Sequence, residues 1–249
     1  MSKEKSPRLR TVEKVKPPFP LNEFPTDFGY KLGKEIIYLL ATKGSASLEG
    51  SEWEEIFANC INAEWRPSNV GLDDVVFSNC AWGAKTVKAG NPFNKKNIRL
   101  ISGRNSPIYS FGVTQISNTD PNILGTQILD IWNERVSAIR KLFKHVRTVV
   151  LIKSNDLTKV VVFEFETIRY ETDLYEWKWN KRGNLEGFKK SSKIHKFTWQ
   201  PHGSQFTIVE DVPPNRLFVQ IKTPQKLDKQ KVLDGIGFKD SWIIVTVKK

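Results

Sequence analysis

Apolar positions recur at helical spacing from about Asp27, where Ile36, Ile37, Leu39 and Leu40 close a first helix, and the pattern breaks at Gly44-Ser45-Ala46-Ser47. A second helix opens on Ser51-Glu52-Trp53-Glu54, spaced as a capping box, and places Trp53, Ile56, Phe57, Cys60 and Ile61 on one face. Cys60 is therefore expected in the core. Residues 72–77 and 81–88 read as two short strands around Ser78-Asn79-Cys80, most economically joined as a hairpin. The stretch 89–122 is rich in Gly, Asn, Pro and Ser, with room for a flexible loop. The longest helix is expected over 123–144, with Ile128, Ile131, Trp132, Ile139, Leu142 and Phe143 at helical spacing. It feeds into 147–152, a nearly continuous apolar run of the kind found in strands covered on both faces. Strands at 159–170, 174–179, about 194–200, 205–210 and 216–222, a short helix near 226–234 and a last strand at 242–247 make the second half largely β. Residues 1–25 combine charge with five prolines and lack either period, so they form an arm ahead of one domain spanning 26–249. The expected class is α/β, a mixed β-sheet flanked by helices with a β-rich C-terminal half.

Composition narrows the function. With 39% hydrophobic and 11% aromatic residues, the 249-residue chain can bury a full core, which excludes general disorder. No apolar run approaches the roughly 20 residues of a membrane span. The opening MSKEKSPRLR lacks the apolar core of a secretory signal, so a cytoplasmic location is expected. Two cysteines, Cys60 and Cys80, and three histidines argue against a disulfide framework and a structural zinc site. Neither a P-loop nor a Gly-rich dinucleotide motif occurs, and no Ser, Cys or acid at motif spacing makes a triad with His202.

Charge points to a partner. Lys and Arg number 39 against 27 Asp and Glu, a formal charge of +12, and such an excess attracts polyanions because each phosphate neutralised releases a condensed counterion. The excess concentrates in residues 1–20 and 178–196, the latter including Lys178, Lys181, Arg182, Lys189 and Lys190. Trp177, Trp179 and Trp199 lie within or beside the second stretch; they read as core, although aromatic faces between cations also suit nucleic acid. The segment 197–206 holds Gln200, His202, Ser204 and Gln205, side chains able to read base edges. With Lys88, Lys181 and Arg182 these are the expected DNA contacts, and double-stranded DNA is the expected partner.

The chemistry concentrates in residues 49–88. An acid-bearing helix precedes Asp73-Asp74 at the start of a strand, and the next strand bears Lys85 and Lys88. A hairpin whose turn is centred between Asn79 and Cys80 puts position 74 directly opposite 85, with Cβ atoms roughly 5 Å apart. Phosphodiester cleavage needs carboxylate oxygens for a hard divalent cation, and a nearby Lys can orient water and stabilise charge growing on phosphorus. Two other groupings compete. Asp211-Val212-Pro213-Pro214 followed by Phe218-Val219-Gln220-Ile221-Lys222 repeats the Asp and x-Lys order but has no acidic helix before it, and reads as a hairpin with a Pro-Pro turn. Glu164 and Glu166 share one face of a strand, a pattern that marks a solvated side.

On Glu54-Glu55, Gly71-Leu72-Asp73-Asp74-Val75-Val76 and Ala81-Trp82-Gly83-Ala84-Lys85-Thr86-Val87-Lys88, the chain resembles the PD-(D/E)xK nuclease superfamily, especially bacterial type II restriction endonucleases. The resemblance implies a restriction-endonuclease-like core, Mg²⁺ held by Asp74 and by Glu54 or Glu55, and catalysis by Lys85 or Lys88. It further implies sequence-specific double-strand cleavage by a homodimer in a bacterial or archaeal cytoplasm, and a separate companion DNA methyltransferase. One departure is plain: Gly83 stands two before Lys85, where the family usually has an acid, and a helix Glu would take that place. A non-catalytic DNA-binding protein with a degenerate site, and a repair or mobile-element nuclease on the same core, are the alternatives.

Overall fold

The computed structural model describes residues 15–67 and 71–247. Among them, helix α1 (Phe28–Thr42) turns Phe28, Leu32, Ile36, Leu39 and Leu40 inward at helical spacing. Helix α2 (Gly50–Ile61) buries Trp53, Ile56, Phe57, Cys60 and Ile61, as its pattern requires. Its start differs from expectation. The Glu52 carboxylate accepts the Glu49 N–H at 2.7 Å, so the cap lies two residues earlier and Glu54 has no capping duty.

Strands β1 (Glu64–Trp65), β2 (Val75–Phe77), β3 (Cys80–Lys88), β5 (His145–Lys153), β6 (Lys159–Glu166) and β11 (Leu217–Gln220) form a six-stranded mixed sheet in the order β1-β2-β3-β5-β6-β11. Only β3 and β5 run parallel in it. Helices α1 and α2 cover one face, packing on Trp82, Ala84, Val149, Leu151, Val160 and Val162. The opposite face meets helix α4 (Pro121–Leu142) and a second sheet. That sheet is antiparallel, in the order β4-β10-β9-β8-β7, from β4 (Asn97–Arg104), β7 (Tyr175–Trp179), β8 (Leu185–Lys189), β9 (His195–Gln200) and β10 (Gln205–Asp211). Ile98 and Leu100 of β4 pack on Val150, Ile152, Val161 and Phe163, which ties the sheets together. Trp177, Phe197 and Trp199 meet Trp132 and Ile128 of α4 in a shared core, so the tryptophans beside the basic stretch are used for packing. Asp120 caps α4 by accepting the N–H groups of Asn122 and Ile123, and Pro121 occupies the first turn, where its missing N–H costs nothing. A five-residue helix, α3 (Pro107–Phe111), precedes it.

Four sequence expectations need correction. Stretch 89–122 holds more than a loop: it contains β4, which alternates from Asn97 to Ser102 and pairs with β10. Strand β8 is hidden in the sequence, since Gly187 interrupts its pattern; a Cβ there would press on Trp177 and Phe197. Segments 205–211 and 217–220 are not a hairpin, because β10 belongs to the second sheet and β11 pairs with β6 of the first. Finally, 242–247 is not a strand. After helix α5 (Lys229–Gly235) a single turn, Asp240–Trp242, leads into a segment that pairs with no strand among the described residues, and Ile244 is 89% exposed.

The described part of the N-terminal segment, 15–25, lies against the domain. Phe19 stacks on Trp82 at 5.6 Å, and the Asn22 amide oxygen accepts the Glu164 N–H at 2.6 Å. The basic residues Lys3 to Lys14 lie outside the described residues. Among the described residues, no helix is long and apolar enough to cross a membrane.

Candidate active site

Asp74 sits at the entry to β2, almost wholly buried, and its Oδ2 accepts the Ala84 N–H at 3.1 Å and lies 3.6 Å from the Lys85 Nζ. The two residues converge, but not through the expected register. Val75 pairs with Trp82 and Phe77 with Cys80 across a two-residue Ser78-Asn79 turn, with Ser78 at φ 55°. Extending that register sets Asp74 opposite Gly83, with Lys85 on the diagonal. A diagonal neighbour is still within reach of a long side chain, and Lys85 makes the reach while also donating to the Gly71 carbonyl at 3.2 Å.

Gly83 is required by this geometry. A Cβ there would come within 2.7 Å of the Gly71 carbonyl oxygen and 3.2 Å of the Leu72 Cα, both backbone atoms that cannot swing aside. An acid therefore cannot stand two before Lys85 in this fold. Gly83→Asp is expected to destabilise the protein by about 2 kcal/mol or more, as overpacking against backbone does, without raising any activity. A thermal melt checks this, and a variant as stable as the wild type would show that the chain near Gly71 yields.

Helix α2 supplies a nearby carboxylate. Burial raises the pKa of Glu54, and the charge of Asp74 raises it further, against the hydrogen bond from Trp65 and the attraction of Lys85. Glu54 is thus within electrostatic reach of both residues. Glu55, one position on, is exposed. Burial likewise raises the pKa of Asp74, opposed by Lys85 and by the Ala84 N–H. Negative charge thus gathers here, countered in part by Lys85, and Asp73 adds a buried Oδ1 with no hydrogen-bond partner among the described residues.

Oxygen donors of this kind fit Mg²⁺, which dehydrates reluctantly and is usually held by one or two carboxylates with several waters retained. No cluster of three or more His, Cys, Asp or Glu side chains able to hold a metal occurs among the described residues, which leaves Asp74 and Glu54 as the candidate oxygen donors.

The remaining expected residues divide. Lys88 follows Trp82 and Ala84 in parity, so it stands on the face opposite Asp74, near Lys153, whose pKa is lowered by burial, opposed by Glu49 and helped by the charge of Lys88. Lys181, Arg182 and Gln200 come together in a groove of about 630 Å³ on the outer face of the second sheet. Arg99, Thr198 and Thr207 line the same groove, and Arg99 donates to the Thr198 hydroxyl at 2.7 Å. His202 and Ser204 form a turn beyond it, and Gln205 pairs with both Gln200 and Arg104 on the sheet. Arg99 escapes a reading of the sequence because its strand resembles loop in composition; the alternation Ile98, Leu100, Ser102 inward is the signal that reveals it.

The competing groupings take structural roles. Asp211 ends β10 in the second sheet, and Lys222 lies two residues past β11 of the first. Glu164 is fully buried, not solvated, and accepts from Arg147 at 2.7 Å and from the Trp82 indole at 2.7 Å, while Glu166 accepts from the same guanidinium at 3.2 Å. Comparison with protein-family models, with curated proteins and with solved structures finds no match to this chain.

Proposed function

We propose that this chain is a Mg²⁺-dependent endonuclease that cuts both strands of DNA at a specific sequence, built on a PD-(D/E)xK core like that of type II restriction enzymes. The observation that carries the reading is the meeting of a buried carboxylate, Asp74, with the Lys85 ammonium at 3.6 Å and the Glu54 carboxylate within electrostatic reach. Asp74 and Glu54 would hold the ion. When bound, Mg²⁺ supplies Lewis-acid stabilisation of the charge that grows on the phosphoryl oxygens. Lys85 is anchored by Asp74 on one side and the Gly71 carbonyl on the other, which sets its ammonium to orient the attacking water. The groove of Arg99, Lys181, Arg182 and Gln200 offers cations for the backbone and an amide for base edges. Ile101 lines both this groove and the cleft that contains Lys85, so one surface joins recognition to chemistry.

The same reading carries a homodimer, matched to a two-fold recognition site, a separate methyltransferase that protects host DNA, and a bacterial or archaeal cytoplasm. The excluded acid at Gly83 favours a second reading, a DNA-binding protein without catalysis.

Incubation of plasmid or phage DNA of known sequence with the protein, in Mg²⁺ and in EDTA, beside Asp74→Ala, separates these. Discrete fragments that need Mg²⁺ and vanish in the variant are expected. A smear would indicate a repair or mobile-element nuclease instead. Salt-sensitive binding without cleavage, retained in Asp74→Ala, would overturn the catalytic reading.

A further inference from the structure

The chain leaves two apolar surfaces uncovered, one beside the other. After Ile221 no residue from Lys222 to Val247 is buried, although this segment forms helix α5 and then the run Ile243-Ile244-Val245-Thr246-Val247. Local contacts hold its shape. Asp228 caps α5 by accepting the Lys231 N–H at 2.9 Å, and Phe238 meets the Trp242 ring edge-on at 5.8 Å. The Leu227 N–H donates to the Ala41 carbonyl at 2.9 Å, which ties this arm to the end of α1. The second surface is the outer stripe of α1 itself. Tyr30, Ile37 and Tyr38 stand there at helical spacing, the two tyrosines 72% and 67% exposed, where an amphipathic helix ordinarily carries polar side chains. The arm starts beside this stripe and does not cover it.

Neither surface suits water. So short a helix has little stability of its own, and a run of β-branched residues exposed to solvent invites pairing with another chain. The arm is also a poor fit to a phosphate backbone, since residues 242–247 carry no charge. The amount of apolar surface decides the occupant. Trp242, Tyr30 and Tyr38, with the exposed aliphatic chains of the arm, present on the order of 1,000 Å², above the roughly 800 Å² that each partner of a standard interface buries. Two copies of the chain supply both surfaces twice, and a two-fold axis lets the arm of each reach the α1 stripe of the other. We propose that residues 227–247 are a dimerisation arm, with Trp242 to Val247 seated on Tyr30, Ile37 and Tyr38 of a second copy. The arm rests on the proposed function in one respect, the two-fold pairing, for which it supplies the surface.

The test is sedimentation of the full chain without DNA, from submicromolar to tens of micromolar concentration. The wild type should be a dimer, and Ile244→Asp and Tyr38→Asp should each weaken it about a hundredfold, because a buried apolar contact is lost and a charge takes its place. Ile123→Asp, on the exposed start of α4, should leave the dimer unchanged. All three positions are exposed in the chain, so these substitutions spare the core. Oxidation then places the contact. An equimolar mixture of Tyr38→Cys and Ile244→Cys chains should form a disulfide-linked pair that neither gives alone, since native Cys60 and Cys80 are buried. Ile244→Cys chains that link to each other would set arm against arm and overturn the α1 seat. A wild type that stays monomeric throughout would overturn the inference altogether. A dimer untouched by both Asp variants would put the interface elsewhere, which overturns the arm and leaves the homodimer reading standing. If both variants dissociate the dimer while the wild type cuts no DNA in Mg²⁺, the nuclease reading fails and the arm stands.

Discussion

Asp74→Asn is expected to abolish Mg²⁺-dependent cleavage and, in the same molecule, to raise thermal stability. On the proposed reading, the first effect follows from the loss of an oxygen that would hold the ion beside Lys85. Removing several kcal/mol of transition-state stabilisation corresponds to roughly a thousandfold in rate. The second follows from burial. Asn keeps an oxygen for the Ala84 N–H but removes a charge whose pKa burial raises, and Lys85, only partly buried, keeps the Gly71 carbonyl and solvent. A gain of about 1 kcal/mol would raise the melting temperature by roughly 2–4 °C in a chain of this size.

The pH dependence has a definite sign. A carboxyl group whose pKa is raised on folding binds its proton more tightly in the native state. The folded protein therefore loses stability as pH rises from the ordinary value of 3.8 through the raised native one. The difference in melting temperature between Asp74→Asn and wild type should be smallest at the acid end of that window and grow to a plateau above it. A variant less stable than wild type at neutral pH would show that the Lys85 pair outweighs desolvation, and retained cleavage would remove Asp74 from the chemistry. Retaining this carboxylate thus costs stability, as is usual where a site needs charge in a water-poor setting.

Arg147→Ala is expected to cost about 3–5 kcal/mol, because it leaves a buried carboxylate without its cation. Arg147 and Glu164 are both almost inaccessible, and the guanidinium also donates to Glu166 and to the Phe19 carbonyl at 3.1 Å. Glu164 is further bound to the Trp82 indole and to the Asn22 N–H, so one ion pair holds β5, β6, β3 and the segment 15–25 together. Losing it should lower the melting temperature by about 10 °C at the scale of roughly 2–4 °C per kcal/mol, and should expose the segment near Lys16 to trypsin. The double change Arg147→Met with Glu164→Gln should recover much of the loss, since replacing both charges by neutral groups of similar size avoids a stranded ion. A single variant within about 1 kcal/mol of wild type by urea denaturation would mean that water reaches Glu164.

These two ionic sites show what local pattern can and cannot convey. Helices α1, α2 and α4 were legible because an amphipathic helix writes its buried stripe into consecutive turns. The order of acidic helix, Asp-bearing strand and Lys-bearing strand was legible for the same reason, as was the cationic turn of Lys181 and Arg182. Pairing was not. Whether Asp74 faces Lys85 directly or diagonally depends on a register two residues tighter than expected, and a two-residue period is indifferent to that choice. The roles of Glu164 and Glu166 required knowing that Arg147 lies on the adjoining strand, because a carboxylate at period two looks alike whether it meets water or a buried guanidinium. Strand β4 became a strand through Asn97 to Arg104 meeting β10 far along the chain, whereas 242–247, a nearly continuous apolar run, pairs with no strand among the described residues. The sequence by itself determined which segments have a face to bury and where charge gathers, since those are properties of neighbours along the chain. Only the tertiary structure decided which faces meet and why Gly83 can bear no acid, since both depend on backbone brought close from a distant element.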